Sequence, residues 1–175
     1  MKNIFFPKIG WPDVSGMLVV GILGALIASG FGILHDEITY TLCPEYFTKL
    51  KFHQFSYADF GFPIRILVAE VGILASWWVG FLAGWFLGRL AFPKYHRQKS
   101  FRRCALGFLP ILVLATLGGV LGFFLGGRHW LDWTETGKDL GVLDLPAFQV
   151  VASIHLGTYA GAALGLLLSL IWIRK

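Results

Sequence analysis

The sequence predicts an all-α polytopic membrane protein, a compact bundle of four transmembrane helices with glycine and small-residue packing stripes. Three observations predict it. The 175-residue chain is 56% hydrophobic and only 14% charged, against about 45–50% and about 25% in an ordinary soluble domain. Its mean hydropathy is +0.68, and so much apolar surface is buried only by lipid or by a very large partner. Four runs are almost free of charge: residues 14–35, 66–88 with Glu70 as the exception, 104–127 and 145–173.

Each run meets the roughly 20 residues that a helix needs to cross a bilayer. Barrel strands would be shorter and would alternate in polarity. The helices are expected over about 14–42, 63–90, 104–127 and 146–173, within a single domain 1–175. The opening "MKNIFFPKIGWPD" reads as an interfacial segment before an uncleaved first helix. The apolar run behind it exceeds the 7–15 residues of a signal-peptide core.

Charge sets the expected orientation. Ten basic residues fall on one side: Lys2, Lys8, Arg89, Lys94, Arg97, Lys99, Arg102, Arg103, Arg174 and Lys175. The other side has five, Lys49, Lys51, Arg65, Arg128 and Lys138. Short loops rich in Lys and Arg stay in the cytoplasm, so both termini are expected inside and residues 36–62 and 128–145 outside. Trp11 and Trp172 would mark the inner interface, Trp130 and Trp133 the outer one. The basic loop is foremost a topology determinant and secondarily a holder of anionic lipid. No RNP, zinc-finger or helix-turn-helix pattern accompanies the charge, and nucleic acid is excluded as a partner. Cys43 and Cys104 lie a bilayer apart, beyond the reach of a disulfide.

Small residues recur at every fourth position: Gly72, Ser76, Gly80, Gly84 and Gly88 in the second helix, and Gly118, Gly122 and Gly126 in the third. Gly157, Gly161 and Gly165 do the same in the fourth, and Gly21, Ala25 and Ser29 in the first. Such stripes let helix backbones approach closely where lipid supplies no hydrophobic drive. The expected product is a tight bundle without a wide aqueous pore. Pro110 should loosen the first turn of the third helix, while Pro146 suits the first turn of the fourth.

One stretch departs from this apolar background. "HDEITYTLCPEYFT", residues 35–48, places polar side chains at the mouth of the first helix. A helix continuing past His35 puts Asp36, Tyr40 and Cys43 on one face, with His35 and Thr39 on the next. Pro44 ends it and opens a short interfacial helix over about 44–52, with Glu45 where the helix dipole favours an acid. In the fourth helix His155 and Tyr159 are four apart, about 14 Å from the helix start. Glu70 lies at a similar depth in the second. Charged groups inside a bilayer usually face the bundle interior, so these residues are expected to converge.

Histidine, carboxylate and thiolate together form the ligand set of Zn, Cu or Fe. The candidate metal ligands are His35, Asp36, Cys43 and His155, and the wider ligand-binding set adds Thr39, Glu45, Tyr46, Glu70 and Tyr159. A proton or ion relay, or a site for a polar headgroup or quinone, uses the same groups. The alternative without chemistry pairs His155 with Glu70, or His35 with Asp36, to fix helix register. A nucleophilic Cys43 lacks any visible oxyanion loop. In the second outer loop Arg128, Asp132, Glu135, Lys138, Asp139 and Asp144 read as solvated, His129 as an exposed histidine, and "WLDWTETG" as an interfacial segment.

The string H-D-E-I-T…C-P-E-Y-F-T, with "WWVGFLAG" and "HLGTYAGAALG", resembles a pattern in small bacterial four-helix membrane proteins of unassigned function. The resemblance implies a bacterial cytoplasmic membrane and a shared architecture for the outer cluster and His155–Tyr159. It implies no activity. The expected function is binding of an ion, metal or small ligand, related to transport. The rivals are a non-catalytic subunit of a larger membrane complex and a metal-dependent membrane enzyme. A bundle this small would translocate a solute only as a homo-oligomer or within a complex.

Overall fold

The computed structural model describes residues 9–128 and 132–175. Four long helices carry the fold: α1 (Trp11–Leu42), α2 (Ile64–Ala91), α3 (Arg97–Gly126) and α4 (Leu145–Arg174). All four are long and apolar enough to cross a membrane. The segment carrying Lys2 and Lys8, together with His129 and Trp130, lies outside the described residues.

The helix ends follow local rules. Pro12 opens α1, and Asp13 Oδ2 accepts from the Gly10 N–H at 3.0 Å. Pro44 prevents α1 from continuing beyond Leu42. Asp144 caps α4 by accepting from the Ala147 N–H at 3.0 Å, with Pro146 in the first turn as predicted. α3 starts at Arg97 instead of 104, so much of the basic loop is helical. The charge pattern marks where lipid begins, not where hydrogen bonding begins. Fully buried Ser100 staples the preceding turn, its hydroxyl lying 3.1 Å from the Ala91 carbonyl. α3 consequently runs through Pro110 in its interior, and the proline does not sit in a first turn.

Two antiparallel hairpins result, α1 with α2 and α3 with α4. Each is closed by backbone contact at glycine. A Cβ on Gly24 would overlap the Gly80 carbonyl, one on Gly32 the Gly72 carbonyl, and one on Gly118 the Gly157 carbonyl. Serine hydroxyls reinforce the pairs. Ser76 Oγ lies 2.9 Å from the Ala28 carbonyl in the first hairpin, and Ser169 Oγ lies 2.7 Å from the Gly107 carbonyl in the second. Between the hairpins the packing is looser. Phe108 with Met17, Val20, Leu87 and Ile173 fills the seam at one end. Farther along, an apolar cleft of about 90 Å³ opens between Gly24, Ala28, Phe31, Ala115 and Tyr159.

At the other end, residues 43–58 fold over the seam. Short α-turns at Pro44–Tyr46 and Phe52–Gln54 flank a π-helical turn at Phe47–Lys51, where a regular helix over 44–52 is predicted. π-Turns recur at functional sites. This one turns both Phe47 and Lys51 inward, 0% and 5% exposed. The "WLDWTETG" segment forms only the helix Thr134–Asp139, whose Lys138 pairs with Glu135 at 2.9 Å.

Candidate metal centre

The seam brings together side chains that are remote in sequence. α1 continues unbroken past His35 because no proline or glycine interrupts residues 33–42. Its last turns therefore present Asp36 and Thr39 to the interior, 3% and 1% exposed. α4 presents His155 opposite them, also 3% exposed. His35 Nε2 lies 3.3 Å from His155 Nδ1, and the rings meet edge-on with centroids 4.6 Å apart. His155 Nε2 faces Asp36 Oδ1 at 4.0 Å.

The residues over the seam close the site. Tyr46 stacks on His155, with ring centroids 4.8 Å apart and an interplanar angle of 17°. Phe47 approaches the same imidazole at 6.3 Å, and Phe31 stacks on His35 at 5.9 Å. Lys51 enters from the π-turn, its Nζ 3.8 Å from Asp36 Oδ2. Burial pushes the Lys51 ammonium below its ordinary value, while the Asp36 carboxylate pulls it back up. The Tyr46 phenol is pushed up by the same burial, so it stays protonated. Asp36 and His155 are thus buried and His35 is partly so.

Among the described residues, two polar atoms of the site have no hydrogen-bond partner: His155 Nε2 and Asp36 Oδ2, both buried. A buried polar atom without a partner costs about 1–3 kcal/mol. The gaps of 4.0 and 3.8 Å exceed hydrogen-bond length. His35, Asp36 and His155 each offer one ligand atom, all within 4.8 Å of one another. Two atoms bound to one ion at about 2.1 Å lie at most about 4.2 Å apart. With the three ligand atoms spread over as much as 4.8 Å, a tetrahedral site, whose edge is about 3.4 Å, requires the farthest pair to close by up to about 1.4 Å. The 3.3 Å between His35 Nε2 and His155 Nδ1 matches such an edge, and in that arrangement His155 binds through Nδ1 while its Nε2 faces Asp36.

The other predicted site residues are distributed differently. Among the described residues, neither Cys43 nor Glu70 joins the group. Cys43 is 2% exposed among Phe47, Val68, Phe148 and Val151, and this apolar burial raises its thiol above the ordinary range. Glu70, on α2, has one buried oxygen without a hydrogen-bond partner among the described residues. Thr39 is occupied locally, donating to the His35 carbonyl at 2.9 Å. Glu45 accepts from the Leu143 N–H at 3.0 Å and the Asp144 N–H at 2.8 Å. Those bonds hold its carboxyl below its ordinary value and tie residues 43–58 to the start of α4. Tyr159 borders the site, its ring 6.5 Å from that of His155, and it also lines the cleft.

No family model, curated protein or solved structure matches this chain. The likeness to small four-helix membrane proteins rests on the motif strings alone. Sequence reasoning missed Lys51, which reads as one more loop cation. The signal that finds it is its spacing of four from Phe47, which places both on the inward face of one turn.

Proposed function

We propose that this chain is an integral membrane protein that holds a transition-metal ion in the outward half of its bundle through His35, Asp36 and His155. One observation carries this reading. His35, Asp36 and His155 each offer one ligand atom, all within 4.8 Å of one another, and the buried Asp36 Oδ2 lacks a hydrogen-bond partner among the described residues. Two imidazoles and one carboxylate suit Zn or Fe and leave coordination positions open for water or a small ligand. The site belongs to a bacterial cytoplasmic membrane, with the Lys94–Arg103 end inside by the positive-inside rule. Binding and handling of the ion, within an oligomer or a larger membrane complex, is the function that this small bundle supports best.

Lys51 favours a second reading. Its ammonium sits where a metal's positive charge would balance Asp36. Without an ion, His35, His155, Asp36 and Lys51 form a relay able to pass a proton through bridging water. Elemental analysis of detergent-purified protein, prepared without chelator, separates the two. Near-stoichiometric metal in the wild type, lost in both His35→Ala and His155→Ala, supports the metal centre. Wild type free of metal, after growth with added Zn and Fe, sinks it and leaves the relay.

A further inference from the structure

The opposite end of the bundle, where α2 turns into α3 and α4 stops, gathers cations around Tyr95. Arg103 Cζ lies 4.7 Å from the centre of its ring, Lys99 Nζ 4.8 Å and Lys94 Nζ 5.1 Å. Arg97 adds a fourth charge one turn away, 5.4 Å from the Phe101 ring. An aromatic face attracts a cation, yet one phenol does not neutralise three. Like charges held this close repel unless an anion joins them.

Part of the cluster has a structural task. Lys94 Nζ donates to the Arg174 carbonyl at 2.5 Å, Tyr95 Oη to the Ile173 carbonyl at 3.0 Å, and Arg103 to the Trp172 carbonyl at 3.4 Å. These bonds satisfy the C-terminal carbonyls of α4. Arg97 and Lys99 are not explained in this way. Among the described residues, no carboxylate side chain pairs with Lys94, Arg97, Lys99 or Arg103. The chain has no acidic residue between Glu70 and Asp132, or after Asp144. Asp13, at the same end, is engaged by the Gly10 N–H. No acidic side chain of these elements supplies a counter-anion, so one from outside them has a place here.

Position selects its source. The cluster sits at the ends of apolar spans, with half-exposed Trp172 beside Arg103 at 4.9 Å, the level that interfacial tryptophans occupy. Leu106 follows Arg103 by one turn on α3, and Leu168 precedes Trp172 by one turn on α4. Both are large exposed apolar side chains. An anion seated on Tyr95 therefore has a lipid-facing apolar track leading away from it into the membrane. We propose that the Tyr95 cluster binds the phosphate of an anionic phospholipid, with Arg97 and Lys99 as the residues dedicated to it.

The test uses the full chain in phosphatidylcholine nanodiscs, doped with phosphatidylglycerol, with added phosphatidylcholine or bathed in inorganic phosphate. Bound lipid is counted by native mass spectrometry, and melting in phosphatidylcholine alone verifies that each variant is folded. Phosphatidylglycerol should be retained selectively, less so at high salt. Arg97→Gln and Lys99→Gln should each weaken retention about five-fold, while Lys138→Gln at the other end leaves it intact. Equal retention of phosphatidylcholine overturns the proposal, as does a folded double variant that keeps its phosphatidylglycerol. Competition by millimolar inorganic phosphate as strong as that by lipid would assign the cluster to a soluble phosphate and equally overturn it.

Discussion

His35 Nε2 and His155 Nδ1 approach within 3.3 Å although 120 residues separate them in the chain. Neither helix pairs with the other along its length; α1 is zipped to α2 and α4 to α3. The contact is therefore made across the seam between two preformed hairpins. Whatever binds there reports on how the hairpins sit against each other, and this gives the site a mechanical as well as a chemical consequence.

If an ion bridges that seam, its removal must loosen the seam. Chelation with a strong membrane-permeant chelator should lower the melting temperature of the wild type in detergent, and re-addition of Zn should restore it. His155→Gln should melt at the chelated temperature with or without chelator. A wild type indifferent to chelator would count against a bridging metal.

The Lys51–Asp36 pair is buried, so removing one partner strands the other. Lys51→Met should destabilise the protein by about 3–5 kcal/mol, read from chemical denaturation in detergent. Lys51→Met combined with Asp36→Asn should recover most of that loss, because no lone charge remains. Additive losses in the double variant would show that the two charges do not interact.

Glu45 predicts a pH dependence of known sign. Its folded-state carboxyl lies below the ordinary value of 4.5, held there by the Asp144 and Leu143 N–H groups. The stability it contributes is fully present above pH 4.5 and is lost as the pH falls through the lowered value. Acid melting curves of the wild type should therefore steepen below that point. Glu45→Gln should flatten that part of the profile and leave neutral-pH metal content unchanged.

Cys43 should be inert. Its thiol is buried, and its ionisation is suppressed by that burial, so the nucleophilic thiolate is scarce. A polar maleimide should fail to label it in the folded protein and should label it after denaturation. Rapid labelling of native protein would mean that residues 43–58 open readily.

Two glycines give a paired test of the packing. Gly118→Ala would drive a methyl group into the Gly157 carbonyl, whereas nothing lies within 4 Å of a Cβ placed on Gly30. The first should cost about 1–3 kcal/mol, as overpacking does. The second should leave the melting temperature level or slightly raised, since Ala favours helix over Gly. Equal effects would show that the hairpins do not depend on close backbone approach.

Much of the site's raw material was legible in the chain, and its selection was not. His35, Asp36 and His155 stood out because polar groups are rare and costly inside apolar runs. Cys43, Glu45 and Glu70 stood out for the same reason, yet the structure gives them other places. Glu45 serves the backbone of the neighbouring loop, and Cys43 packs among aromatic and aliphatic side chains. Lys51 lay hidden because a lysine in a loop is ordinary, and only the π-turn brings it toward Asp36.

The sequence by itself determined the four spans, the faces on which glycine permits contact and the separation of basic charge to one end. These depend on properties that each residue carries locally: transfer free energy, side-chain size and charge. Only the tertiary structure decided which helices pair as hairpins, where the looser seam runs and which polar groups meet across it. Those outcomes depend on how far each helix is rotated about its own axis. That rotation is set by backbone contacts such as Gly24 on Gly80 and Gly118 on Gly157, and a rotation of one residue, about 100°, would turn His155 away from His35.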